Sequence, residues 1–164
     1  MVRKLLLAGV AAFLLLQLVP YGWRHPNPPV TQDAPWPSPE ARRIAKAACY
    51  DCHSNESHWP AYSYVAPMSW LVRKDVEDGR AKLNFSTWGS GEQEAHDTAD
   101  TVREGSMPPR KYTVLHPTAK LSAAEKQALI AALDAMDQGG GGNRGSGGGG
   151  NNGNRGSGGG GGGD

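Results

Sequence analysis

Two thiols and an imidazole stand together in Ala-Ala-Cys49-Tyr-Asp-Cys52-His53, and the chain has no other cysteine. Thiols three residues apart lie about one helical turn from each other. An imidazole directly after the second thiol lies on the same side of that turn. This C-x-x-C-H spacing is a haem-attachment signature. Cys49 and Cys52 each reach one vinyl group of a porphyrin, and His53 coordinates its iron. Covalent attachment retains a haem that a small core would otherwise lose. Two other chemistries use the same residues. A dithiol oxidoreductase belongs in a β-α-β pattern, and none is present. A structural zinc site takes four ligands, and there is no second C-x-x-C. A disulfide between residues this close would constrain little.

A second iron ligand is less local. Met107 stands in Gly-Ser-Met-Pro-Pro at 105–109, outside any helical apolar stripe. Thioether sulfur paired with histidine raises the potential of electron-carrying haems, and Pro108 and Pro109 stiffen the segment that presents it. His58, His96 and His116 are alternatives, as is an open position. Met68 and Met136 read as core residues instead. A haem also needs an apolar wall. From the aromatics after the motif, Trp59, Trp70 and Trp88 are the candidates for lining it.

Helices must position these groups. Ser38, Pro39 and Glu40 form a helix start by capping, fixed φ and charge. Ala41, Ile44, Ala45, Ala48 and Cys52 then recur at helical spacing. A second helix is expected from about 67 to 78, with Met68, Leu71, Val72 and Val76 as its apolar side and Gly79 as its stop. A third is expected from about 91 to 104, stopped by Gly105. Its other face, with Glu94 and Asp97, reads as solvated surface. The last begins with a capping box between Ser122 and Glu125 and buries Leu129, Ile130, Leu133 and Met136. No segment alternates with period two, so the expected fold is all-α.

Three segments flank this domain of residues 38–138. In residues 1–23, Arg3 and Lys4 precede an apolar run over 5–19 broken only by Gln17. Charge before an apolar run is an export pattern, and residues 5–23 as a helix span about 28 Å, close to a hydrocarbon core of about 30 Å. An uncleaved inner-membrane anchor is the expectation, with Tyr21 and Trp23 at the interface; a cleaved signal and a soluble periplasmic domain is the alternative. Residues 24–37 carry five prolines and read as a semi-rigid spacer. Residues 139–164 are a Gly-rich tail with an octamer repeated at 143–150 and 154–161; it offers nothing to bury and reads as disordered. Net charge is +1, and residues 30–138 hold 12 Lys/Arg against 15 Asp/Glu. A nucleic-acid partner, which calls for a basic face, is therefore excluded.

The motif at 49–56 is joined by Trp-Pro-Ala-Tyr-Ser at 59–63, Val-Ala-Pro at 65–67, Ser-Trp-Leu at 69–71, Gly79-Arg80, Leu-Asn-Phe-Ser at 83–86 with Trp88, and Met-Pro-Pro at 107–109 with Tyr112, His116 and Pro117. Together they resemble the bacterial haem-binding domain family, a cytochrome c-like group with one C-x-x-C-H. The resemblance covers roughly residues 30–138. It implies a small cytochrome c-like helical fold and a periplasmic or membrane-anchored location. The expected function is one-electron transfer by one haem c per chain, held by Cys49, Cys52, His53 and Met107, with unidentified redox proteins as partners. The alternative is a haem sensor or peroxidase-like enzyme with an open or displaceable sixth ligand.

Overall fold

A computed structural model describes residues 1–89 and 95–140, and side chains are described for those residues except 95–97 and 139–140. Its helices, in chain order, are α1 Val2–Leu16, α2 Pro39–Ala48, α3 Tyr50–His53, α4 Met68–Lys82, α5 Ala95–Glu104, α6 Arg110–Leu115 and α7 Ala123–Gly140. Among the described residues the only β pairing is an isolated bridge between Gln32 and Thr87, as the lack of period-two alternation predicted.

The core forms where α5 and α7 lie along each other and α2 crosses α7. Ile44 and Ala45 of α2, Val102 of α5, and Leu129, Leu133 and Met136 of α7 are buried together with Tyr50, Leu83 and Phe85. The expected caps build these helices. The Ser38 hydroxyl accepts from the Ala41 N–H at 3.1 Å. At α7 the Ser122 N–H donates to Glu125 Oε2 at 3.0 Å and the Glu125 N–H donates to Ser122 Oγ at 3.2 Å, which closes the capping box. Gly105, at φ +80°, ends α5 in the left-handed conformation that glycine adopts without strain.

Four expectations change. The first helix stops at Cys49, whose φ of −126° breaks α2 from α3, so Cys52 lies on a separate turn. Gly79 does not stop α4, which continues to Lys82. A Cβ there would lie 2.5 Å from the Cys52 carbonyl oxygen, so glycine permits close packing of α4 on α3. The Pro-rich segment is no spacer, because it is laced into the domain. Ala34 is buried, its N–H donates to the Phe85 carbonyl at 2.8 Å, and the Asn55 amide donates to the Pro29 carbonyl at 2.9 Å. Local pattern missed this because the partners are distant in sequence.

The fourth correction concerns the N-terminus. α1 has 15 residues, none buried, and among the described residues no helix is long and apolar enough to cross a membrane. Beyond Leu16 the chain is held at the start of α4. The Gln17 side chain donates to the Ala66 carbonyl at 3.1 Å and accepts from its N–H at 2.9 Å. Gly22, at φ +87°, fits so closely against Ser69 that a Cβ would lie 2.8 Å from its backbone. These contacts compete with continuation of the helix. Of the tail expected to be disordered over 139–164, residues 139–140 complete α7 and 141–164 lie outside the described residues, as do 90–94 at the expected start of the third helix.

Phe85 is 1% exposed and stacks on Tyr50 at 5.5 Å and Trp88 at 6.2 Å. Phe85→Ala is therefore expected to lower unfolding free energy by about 3–5 kcal/mol, read as a reduced midpoint in urea denaturation. An equivalent midpoint for wild type and variant would show that Phe85 does not carry this packing.

Candidate functional site

The cysteine–histidine motif is a single tight turn. The Cys49 carbonyl accepts from the Cys52 N–H at 3.1 Å and the His53 N–H at 2.9 Å. Both thiols are free. Cys49 packs against the hydrophobic core, whereas Cys52 lines a groove between α3, α4 and α6. Burial, then the neighbouring Cys52, pushes the Cys49 thiol up to about 12. Burial, then Asp75 and Asp51, pushes Cys52 up to about 11. Both are protonated near neutrality, which suppresses the thiolate attack that would close a disulfide.

The imidazole of His53 is held in one tautomer. Its Nδ1 lies 3.2 Å from the Leu83 carbonyl, which can only accept, so Nδ1 carries the proton and Nε2 keeps its lone pair. Burial lowers the His53 pKa, opposed by the Leu83 and Gly79 carbonyls. The His53 carbonyl accepts from the Phe85 N–H at 2.8 Å, so the Leu83–Phe85 segment grips both ends of this residue. A neutral imidazole with its free nitrogen available is the form that ligates metal.

The loop after the turn is fixed by a polar lattice. Arg80 donates through Nε to the Ser54 carbonyl at 2.7 Å, and through its Nη atoms to the Pro26 carbonyl, Asn27 Oδ1 and Ser57 Oγ. Ser86 Oγ accepts from the Asn55 N–H, and the Asn84 amide donates to Asn55 Oδ1, both at 2.9 Å. On the other side of the turn, Asp33 accepts a forked bond from Arg42 and one from the Tyr50 hydroxyl, which itself accepts from Trp36. These long-range bonds satisfy polar groups that packing takes away from water.

The groove beside Cys52 is lined by apolar Leu71, Val72 and Val76 and by Asp51, His58, Tyr62, Met68, Tyr112 and His116. Tyr112 donates to Asp51 Oδ2 at 2.6 Å, and Tyr62 and His116 Nε2 share a 2.6 Å bond. Burial and the adjacent Asp51 raise the pKa of Tyr112, so its hydroxyl stays a donor. Sequence reasoning passed over Asp51 and Tyr112. The available signal was the i, i+4 spacing of Tyr112 and His116, whose rings stack at 4.2 Å.

The other candidates lie apart from this groove. Met107 is 37% exposed and its N–H donates to the Thr101 carbonyl at 3.2 Å; it does not line the groove. Met68, expected in the core, is 38% exposed and does line it. Trp59 donates to Asn27 and meets His25 edge-on. Trp70 has a buried Nε1 without a partner, and Trp88 joins the core through Phe85. The side chain of His96 lies outside the described residues. No cluster of three or more His, Cys, Asp or Glu among the described residues is arranged for a bare metal ion. Two protonated thiols one turn apart and an imidazole with a free Nε2 fit a thioether-linked haem.

Comparison with known proteins supports haem binding. A family model described as Haem-binding domain matches residues 11–135. The chain is similar to the cytochrome c peroxidase Ccp of Escherichia coli (strain K12), 25% identical over 139 residues, with 76% of this chain and 30% of that protein covered. The chain thus spans less than a third of that relative's length. No solved structure matches.

Seating of the turn depends on the missing side chain at residue 79. Gly79→Ala sets a Cβ 2.5 Å from Cys52 O, against backbone that cannot step aside, and is expected to cost about 1–3 kcal/mol. Gly9→Ala, with nothing within 4 Å of its Cβ, serves as the control and keeps or slightly raises the midpoint, since alanine favours a helix interior over glycine. Equal midpoints for both variants in thermal melts would refute close packing at Gly79.

Proposed function

The chain belongs to the haem-binding domain family, and from that premise we propose that it is a monohaem c-type cytochrome domain that carries single electrons. The observation that carries this reading is the Cys49–Cys52–His53 turn, with its thiols protonated and the His53 Nδ1 engaged by Leu83. Haem bound there supplies a one-electron iron couple. Cys49 and Cys52 would hold it by thioether links, one haem per chain, and His53 Nε2 would ligate the iron. The Leu83 carbonyl orients that imidazole and strengthens it as a donor. Met107 is the proposed second ligand, supported by its exposed thioether between a helix stop and two prolines. The partners we infer are redox proteins that approach an exposed edge of the site.

We infer a periplasmic location. The support is Arg3 and Lys4 in the first turn of α1, ahead of its apolar run, and the open exposure of Leu5, Leu6 and Leu7 on it, an apolar surface that calls for an apolar surrounding. Its 15 residues fall short of the about 20 of a complete crossing, so the association we propose is that of an export segment lying in the inner membrane. A second reading, a sensor or peroxidase-like enzyme with a displaceable sixth ligand, is favoured by one observation. The groove beside Cys52 gathers Tyr62, His116, Tyr112 and Asp51, the groups that proton transfer uses, while Met107 lies outside it.

Purified full-length protein matured with haem is expected to keep its haem stain on a denaturing gel, and Cys52→Ala to lose or cripple attachment. Extraction of all colour by acidified acetone would overturn thioether linkage. Under His53–Met107 ligation, Met107→Ala abolishes the near-infrared sulfur-to-ferric-iron band and lets carbon monoxide bind the ferrous form, while Met68→Ala keeps the band. Loss of the band with Met68→Ala alone would move the ligand into the groove, and a wild type that binds carbon monoxide would favour the sensor or enzyme reading.

A further inference from the structure

We propose that Tyr112 is a positioning residue for the cysteine–histidine turn, acting through the carboxylate of Asp51. The proposal deepens the reading of that turn as the haem-attachment site and rests on it. Asp51 stands between the two cysteines, and both its oxygens are engaged. Oδ1 accepts from the His58 N–H at 2.9 Å, and Oδ2 accepts from the Tyr112 hydroxyl at 2.6 Å. One side chain therefore ties the attachment turn to the segment that follows it and to α6, which comes some sixty residues later in the chain. An O–H bond to a carboxylate at that length is among the stronger hydrogen bonds a protein makes.

The helix that presents Tyr112 has little else to hold it. α6 has six residues and none is buried. Its backbone stays clear of α3 and α4, so it reaches them through side-chain tips. Lys111 bonds Asp75 at 2.7 Å, but both side chains are largely exposed and such a pair holds weakly. His116, just past the helix, meets Tyr62 at 2.6 Å, and its ring braces Tyr112. Of these links only the Tyr112 hydroxyl reaches into the Cys-Tyr-Asp-Cys-His turn itself. Without it, Asp51 loses a restraint on one oxygen, and the Cys52 edge of the turn loses its fixed distance from the groove wall.

Amide hydrogen exchange on the full chain, with and without haem, tests this directly. Tyr112→Phe removes one hydroxyl and keeps the ring. It is expected to speed exchange of the His58 amide at least fivefold, leave the Phe85 amide unchanged, and lower haem occupancy at least twofold after maturation. Val114→Gly, at a position 76% exposed on α6, weakens that helix by propensity alone. It is expected to speed α6 amides and leave both His58 and haem occupancy unchanged. If Tyr112→Phe does not fold, Asp51→Asn reads the same link, since it replaces an acceptor oxygen with a donor; the Tyr112 and Thr113 amides then exchange faster and occupancy falls. An unchanged His58 amide in Tyr112→Phe, or equal effects of Tyr112→Phe and Val114→Gly, overturns the proposal, as does full haem occupancy despite faster exchange. A wild type that takes up no covalent haem defeats the functional reading instead, and the exchange data are still decisive for the link.

Discussion

At Gly79 the α4 backbone runs so near Cys52 that a Cβ would lie 2.5 Å from its carbonyl oxygen. The four-residue helix α3 is too short to persist alone. It persists because α4 lies directly on it and because the next segment, Leu83 to Phe85, returns along its end. Those two contacts are consecutive in the chain: α4 covers Cys52, and the residues just beyond α4 receive the His53 Nδ1–H and donate to the His53 carbonyl. One element thereby sets the thiol and the imidazole in a single frame. Any displacement of α4 moves both groups together.

The apolar core alone would hold this frame loosely. Much of the buried surface on α2 is alanine, which permits close approach but contributes little area per residue. Hydrogen bonds supply what side-chain bulk does not. Arg80 gathers four acceptors from the post-motif loop and the Pro-rich segment, and Asn55, Asn84 and Ser86 join that segment to the end of the turn. The prolines assist by keeping the strap extended, so its carbonyls face the domain at low entropic cost. Removal of any one buried partner would leave a desolvated group unmatched, which is the expensive outcome in a small domain.

The two cysteines have unlike surroundings although they are one turn apart. Cys49 belongs to the core and Cys52 to the groove, where Asp51 and Asp75 add their charge to the effect of burial. The groove wall opposite is α6, which presents Lys111, Tyr112 and Leu115. One side of the motif is thus part of the core and the other opens on the groove.

Local sequence by itself determined the starts of α2 and α7 and the motif. The Ser38 cap, the Ser122–Glu125 box and the burial of Leu129, Leu133 and Met136 depend on neighbours within one or two turns, so spacing reveals them. The adjacency of Cys49, Cys52 and His53 is local in the same way, as is the absence of strands among the described residues. Tertiary structure decided the rest. Gly79 reads as a helix stop until Cys52 is seen against it, and the prolines of 24–37 read as a spacer until Asn55 and Phe85 are seen bonding that stretch. The apolar N-terminal run reads as one long helix until Gln17 is found on Ala66. Met68 moves from core to groove, and Asp51 and Tyr112 gain a shared role across 61 residues. Each of these depends on a contact between residues far apart in the chain, and periodicity, capping and turn chemistry carry no information about such partners.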